Sequence, residues 1–227
     1  MPRLTPDQLL DELSGIDDLL IVQDLDGVCM QLVKDPLTRQ MNPSYVRAAA
    51  QLEGQFMVLT NGEHEGRRGV NRLVEAALGD PSTPQRDGLY LPGLAAGGVQ
   101  FQDRFGTLSH PGVSPEEMDF LSQAPKRMEA LLLEQLPQLL PNCSSADIQH
   151  LAKTAVLDTQ VSPTINLNGV FERIPTDVAG QRAMQTMLDA LMQQLLNEAC
   201  AAGLSNSFFL HVAPNLGRDS AGRERLK

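Results

Sequence analysis

Two aspartates, Asp24 and Asp26, stand one residue apart between a short apolar run and Gly27. Alternate residues of an extended segment point to the same side, so the sequence places both carboxylates together. Like charges this close repel each other unless a cation or a shared proton intervenes, and such a pair is costly without a chemical use. One use is phosphoryl transfer, in which Asp24 attacks phosphorus to form an aspartyl phosphate while Asp26 acts as general acid and base.

A carboxylate pair of this kind also suits a magnesium ion. Mg²⁺ prefers oxygen ligands and is often held by one or two carboxylates together with a substrate phosphate. We therefore predict that Asp24 and Asp26 are metal ligands as well as catalytic groups. An Asp-x-Asp sequence at a strand end also occurs in glycosyltransferases, where it holds a metal and a nucleotide-sugar diphosphate, and acidic pairs occur in ordinary turns.

The flanking sequence predicts the elements that position this pair. Residues 19–22 are typical of a strand buried on both faces. Residues 5–8 form a capping box, and the leucines of the helix it opens are expected to pack beside that strand. A second helix over residues 42–54 leads to a second apolar strand at residues 55–59. A strand, helix and strand of this kind suit a parallel crossover, which brings both strand ends to one edge of the sheet.

The string Asp-Leu-Asp-Gly-Val at positions 24–28 resembles the first motif of the haloacid dehalogenase superfamily. The Thr-Asn-Gly string at 60–62 is similar to the second motif, and the resemblance assigns Thr60 and Asn61 to binding of the phosphoryl oxygens. The longer segment 23–39 resembles the family of phosphatases that act on glucosylglycerol phosphate. The resemblance implies an α/β fold with a Rossmann-like core and a parallel sheet, Mg²⁺ as cofactor and a small sugar phosphate as substrate.

Within this family the implied substrate is glucosylglycerol 3-phosphate, and the product, glucosylglycerol, is a compatible solute made under salt stress. A sucrose-phosphate or trehalose-phosphate type of phosphatase is one alternative. A protein or fragment that binds a phosphosugar without turning it over is another. The glycosyltransferase hypothesis is disfavoured by the threonine at the second strand end and by the lack of a glycine-rich nucleotide loop.

The remaining elements are predicted from apolar periodicity and capping signals. A capping box at residues 114–117 opens a long helix that Pro137 and Pro141 are expected to break. The other predicted elements are strands at 89–91, 97–101, 151–157, 164–171 and 208–212, a turn at 103–106 and a helix over about 177–202. The later strands and helices resemble the α/β cap that sugar phosphatases of this superfamily insert after the second motif.

This resemblance predicts three segments: the N-terminal part of the core at 1–108, the cap insert at 109–213, and a polar tail at 214–227 that leads back toward the core. It also implies a catalytic lysine and a further acidic pair for the metal. Asp219 and Glu224 follow no apolar strand, and Lys227 is expected to be solvated. We therefore expect the chain to be the N-terminal portion of a longer phosphatase and to lack full activity alone.

The composition narrows the range of partners. The net charge of -10 argues against nucleic acid or an anionic membrane surface, because no basic excess is present to neutralise arrays of phosphate. Three widely separated cysteines predict reduced thiols rather than disulfides or a zinc site. No apolar run of signal-peptide or membrane-spanning length is found, so we expect a soluble, cytoplasmic protein. The sequence does not predict an oligomeric state.

Overall fold

The computed structural model describes residues 5–31, 33, 36–174, 177–208 and 210. Within them the chain is α/β, as predicted, with eight α-helices and a five-stranded mixed sheet. The chain divides into two compact units, Met1–Pro111 and Gly112–Lys227. The sheet lies in the first unit, and the regular elements of the second unit are helices in the described residues.

The first unit carries the strands and four of the helices. In spatial order the strands are β1 (Ile21–Gln23), β2 (Phe56–Leu59), β3 (Gly93–Ala95), β4 (Gln100–Gln102) and β5 (Leu108–Ser109). The helices are α1 (Pro6–Ser14), α2 (Pro43–Gln51), α3 (Val70–Leu78) and α4 (Thr83–Asp87). β1, β2 and β3 run parallel, whereas β3, β4 and β5 are joined by antiparallel pairs.

The predicted parallel crossover between the first two strands is confirmed. Ile21 pairs with Phe56 and Gln23 pairs with Val58, so β1 and β2 end at the same edge of the sheet. The connecting α2 begins at a proline preceded by an asparagine cap, Asn42, whose side chain accepts a hydrogen bond from a backbone N–H of the first turn. These local signals start the helix of the crossover that connects the two parallel strands.

The surroundings of β1 differ from the prediction. β1 is the first strand of the described sheet, and Val22 is 51% exposed, so the strand is not buried on both faces. The capping box of α1 is confirmed, but this helix buries no side chain, and Leu10 is 64% exposed. The predicted packing of its leucines is therefore wrong, because a capping box fixes where a helix starts and says nothing about what it docks against.

The predicted strands at 89–91 and 97–101 are displaced in the structure. Residues 89–91 instead follow α4, and the Leu89 N–H donates to the Pro84 carbonyl. Residues 96–98 form a 3-10 turn, and the positive φ values of Ala96 (54°) and Gly97 (66°) interrupt the extended backbone there. The turn at 103–106 is confirmed, since Asp103 Oδ1 accepts a 2.8 Å hydrogen bond from the Phe105 N–H. The two-residue β5 was not predicted.

The second unit contains α5 (Pro115–Leu139), α6 (Ser145–Ala155), α7 (Asn168–Phe171) and α8 (Val178–Ala201). The strands predicted at 151–157 and 164–171 are wrong. In the first segment the apolar side chains continue the helical spacing of α6, so that Ile148, Leu151 and Ala155 are all buried on one face of that helix. In the second segment, residues 168–171 form α7. Only one isolated bridge, between Val156 and Ile165, joins these two segments. Among its described residues, the second unit therefore contains helices and no strand.

Helix α5 continues through Pro137, so the break predicted at that residue is wrong. The helix ends at Leu139, two residues before Pro141, where the other break was predicted. Leu136 is fully buried beside the proline, and this burial offsets the backbone hydrogen bond that proline cannot make. The predicted helix over 177–202 is confirmed as α8, with Asp177 as its cap. The predicted strand at 208–212 and the polar tail lie largely outside the described residues. Among the described helices, none is both long and apolar enough to cross a membrane.

Gly93 should be the least replaceable residue of the sheet. It has φ 137°, and an added Cβ would lie 2.6 Å from the Val58 nitrogen and would overlap the Val58 carbonyl. We expect Gly93→Ala to lower the free energy of unfolding by about 3 kcal/mol or more. The matched control is Gly97→Ala, which has φ 66° but no atom within 4 Å of the added carbon. Urea unfolding should show a loss of only ~1 kcal/mol for the control, and equal losses would contradict the close packing of β2 and β3.

Candidate active site

The two aspartates follow β1 directly. Leu25, which lies between them, is fully buried, whereas Asp24 is exposed and Asp26 is partly buried. The Leu25 N–H donates a 2.8 Å hydrogen bond to Asp24 Oδ1 and fixes one oxygen of that carboxylate. Gly27 then takes a positive φ of 78°, and its N–H donates to the Met30 carbonyl at 2.9 Å. The turn that ends β1 thus holds Asp24 at the surface and Asp26 in a more enclosed position.

Asp26 forms an ion pair that the sequence analysis missed. Arg39 Nη2 donates to Asp26 Oδ2 at 2.9 Å, and both side chains are mostly buried. The other oxygen, Asp26 Oδ1, is buried and has no hydrogen-bond partner within the part of the chain that the structure describes. Burial raises the pKa of Asp26, the nearby Asp24 charge raises it further, and the Arg39 guanidinium opposes both. A raised pKa suits a group that must donate a proton.

Thr60 and Asn61 follow β2. Thr60 is 5% exposed, and its N–H donates to the Leu94 carbonyl of β3 at 3.0 Å. Its Oγ1 accepts a 3.2 Å hydrogen bond from the Gly62 N–H, which leaves the hydroxyl proton as a donor. Asn61 is exposed. A buried hydroxyl of fixed direction beside an exposed amide is a suitable arrangement for holding anionic oxygens.

The strand register brings the two motifs together. Because Gln23 pairs with Val58, the same register continued places Asp24 beside Leu59 and Leu25 beside Thr60. Neighbouring strands are about 4.8 Å apart, so the acidic pair and the Thr60–Gly62 loop (the threonine loop) share one sheet edge. Open α/β sheets bind ligands at the carboxyl ends of their strands, which is this edge. The chemical roles of these side chains remain predictions.

The donors at this edge suit a magnesium ion. Asp24 is exposed, and Asp26 Oδ1 is a buried oxygen without a partner among the described residues. Across residues 5–31, 33, 36–174, 177–208 and 210, no group of three or more histidine, cysteine, aspartate or glutamate side chains is placed to hold a metal. Mg²⁺ often requires only one or two carboxylates when a substrate phosphate supplies further oxygens, so the pair fits this ion.

A buried histidine next to the threonine loop was not identified from the sequence. His64 is fully buried, and its Nε2 lies 3.0 Å from the Gly93 carbonyl oxygen. Burial lowers the pKa of His64, and the hydrogen bond to Gly93 only partly offsets this effect. No sequence signal predicted this burial, because residue 64 lies in a polar, glycine-containing stretch.

The lowered pKa of His64 predicts acid sensitivity. Below its ordinary pKa the histidine takes up a proton in the unfolded chain but not in the folded one, so stability falls as pH decreases. Between about pH 6.5 and the lowered pKa, the loss is up to about 1.4 kcal/mol per pH unit. Urea unfolding at several pH values should show this slope in the wild-type chain and a smaller one in His64→Gln. Equal slopes would contradict a neutral, buried His64.

Comparison with known proteins gives two matches. The sequence profile of the glucosylglycerol-phosphate phosphatase family matches residues 18–227. A glucosylglycerol-phosphate phosphatase from Synechocystis sp. is 48% identical over 215 residues, which cover 95% of this chain and 51% of that protein. The chain therefore spans about half the length of the curated relative that it matches.

Proposed function

Because the chain belongs to the glucosylglycerol-phosphate phosphatase family, we propose that it carries the nucleophile, the general acid and the phosphate-binding groups of a phosphatase. The proposed reaction converts glucosylglycerol 3-phosphate and water into glucosylglycerol and phosphate, a step in making a compatible solute. The observation that carries this proposal is the placement of Asp24, Asp26 and Thr60 at the ends of adjacent parallel strands.

In the first step, an oxygen of Asp24 attacks phosphorus. A bond forms between this oxygen and phosphorus, and the bond from phosphorus to the substrate alcohol oxygen breaks. Asp26 donates its proton to that alcohol oxygen, so the product leaves as a neutral hydroxyl. The position of Asp26 supports this role, because its Oδ1 is buried, has no hydrogen-bond partner among the described residues and is therefore available to carry the proton.

In the second step, water hydrolyses the aspartyl phosphate. Asp26, now ionised, removes a proton from the water as the water oxygen attacks phosphorus, and the bond between phosphorus and Asp24 breaks. The Thr60 hydroxyl and the Asn61 side chain hold the phosphoryl oxygens during both steps and stabilise the negative charge that builds up on them. This returns Asp24 to its ionised form and Asp26 to its protonated form.

Asp24 and Asp26 would hold the magnesium ion, which supplies positive charge to neutralise the carboxylates and the phosphoryl oxygens. We further propose that the sheet-containing unit is a haloacid dehalogenase core. The helical unit is then the inserted cap, and its polar side chains recognise the sugar. These assignments rest on the order of the two motifs along the chain and on the separation of the chain at Pro111.

The experiment that tests the function is an assay of phosphate release with MgCl₂. It uses the longest protein that the reading frame encodes, and it compares glucosylglycerol 3-phosphate with sucrose 6-phosphate and trehalose 6-phosphate. We expect the highest kcat/KM for glucosylglycerol 3-phosphate. A higher kcat/KM for another sugar phosphate would change the proposed substrate but not the proposed type of reaction. Binding of these esters without phosphate release would overturn the enzymatic proposal.

A further inference from the structure

His64 is fully buried, but the proposed chemistry does not use it. Its ring Nε2 lies 3.0 Å from the Gly93 carbonyl oxygen, and its backbone N–H donates a 3.0 Å hydrogen bond to Gln100 Oε1. Gln100 is itself 1% exposed. A carbonyl oxygen only accepts hydrogen bonds, so Nε2 carries a ring proton. Nδ1 is buried and has no hydrogen-bond partner among the described residues, which disfavours a second proton there. His64 is therefore a neutral donor that joins its loop to β3 and β4.

The loop that contains His64 begins at the phosphate-binding residues. The Ala96 N–H donates a 2.7 Å hydrogen bond to the Gly62 carbonyl, and Ala96 adopts a positive φ of 54° in order to do so. At the other end, the Val70 and Asn71 N–H groups donate to the Glu63 and His64 carbonyls at 3.1 and 2.9 Å. Backbone hydrogen bonds thus hold both ends of the 62–71 segment.

The ring of His64 links this loop to β3 through a side chain. Its acceptor, Gly93, pairs with Val58, which lies two residues before Thr60 in β2. Gly93 lies too close to Val58 for any side chain to be accommodated, so the position of its carbonyl is fixed by the sheet. The Gly93 carbonyl and the His64 ring are both rigid, so the hydrogen bond between them fixes the distance between the loop and β3.

We propose that His64 is a positioning residue that fixes the Thr60–Gly62 loop in the geometry that binds a phosphoryl group. The proposal rests on the proposed function. The ring touches neither substrate nor metal in this account; it acts through the loop backbone. A small displacement of the groups that hold a phosphoryl group strongly weakens their binding of the transition state. Loss of the hydrogen bond from His64 to Gly93 should therefore reduce anion affinity as well as stability.

The test measures binding of tungstate, a phosphate-like anion, in the presence of MgCl₂ and again uses the longest product of the reading frame. Three variants separate the hydrogen bond from the shape of the side chain. His64→Gln keeps an amide donor near the Nε2 position, whereas His64→Asn is too short to reach Gly93, and His64→Ala has no donor. Val46→Ala is the control, because Val46 is fully buried in α2 and truncating it destabilises the unit away from the loop.

We expect His64→Gln to bind tungstate about as tightly as the wild type, and His64→Asn and His64→Ala to bind it about tenfold or more weakly. Val46→Ala should lower the thermal midpoint and leave the affinity unchanged. If affinity instead follows the thermal midpoint in all four variants, His64 is only structural and the inference is wrong. If the wild type fails to bind tungstate, the proposed function fails, and this inference fails with it.

Discussion

Asp24→Asn is expected to abolish phosphate release, with a loss of roughly 10⁴-fold or more, because an amide oxygen does not displace the leaving group. The substitution keeps the size of the side chain, and the amide oxygen can still accept the 2.8 Å hydrogen bond from the Leu25 N–H. Asp24 is exposed, so the variant should fold normally. The loss should appear in kcat, since the nucleophile acts in the chemical step.

The measurement is the steady-state rate of phosphate release from glucosylglycerol 3-phosphate. The matched control is Asp18→Asn, which changes another exposed aspartate six residues upstream and should retain wild-type activity. An Asp24→Asn enzyme that keeps about a tenth or more of the wild-type rate would exclude Asp24 as the nucleophile.

Asp26→Asn is expected to have the second largest effect, and its size should depend on the leaving group. With glucosylglycerol 3-phosphate the loss should be roughly 10²- to 10⁴-fold, because the alcohol must take a proton as it leaves. With p-nitrophenyl phosphate the first step needs no acid, since nitrophenolate is a stable anion. The second step still lacks its base, so the aspartyl phosphate should accumulate.

Rapid-mixing measurements with p-nitrophenyl phosphate give the test of this second effect. We expect a burst of about one nitrophenolate per Asp26→Asn enzyme, followed by slow turnover. Asp18→Asn again serves as the control. Its rates with the two substrates should stay in the same ratio as in the wild type. Equal losses on both substrates, without a burst, would mean that Asp26 acts only as a metal ligand or through its ion pair with Arg39.

The parts of the fold that were predicted depend on neighbouring residues. The apolar run before Asp24 predicted β1, and the Ser114 capping box predicted the start of α5. The parallel pairing of β1 and β2 followed from the helix between them. Both acids and the Thr60 loop were therefore predicted to share one sheet edge from local patterns alone.

The contacts that were missed join residues far apart in the chain. Arg39 lies 13 residues after Asp26, and His64 lies 29 residues before the Gly93 carbonyl that it contacts. No local pattern indicates either pairing. The C-terminal part of α6 was predicted as a strand over residues 151–157, because a short apolar run fits both the helical and the strand period. Burial of one whole face of the helix, including Leu151, favours the helix.

The most direct test of the account is to trap the covalent intermediate. The enzyme is mixed with glucosylglycerol 3-phosphate and MgCl₂, quenched in acid and treated with borohydride, which reduces an aspartyl phosphate to homoserine. Peptide mass spectrometry then identifies the residue at position 24. We expect homoserine in place of Asp24 in the substrate-treated sample and not in a sample without substrate. Phosphate release without any homoserine at this position would contradict the proposed mechanism.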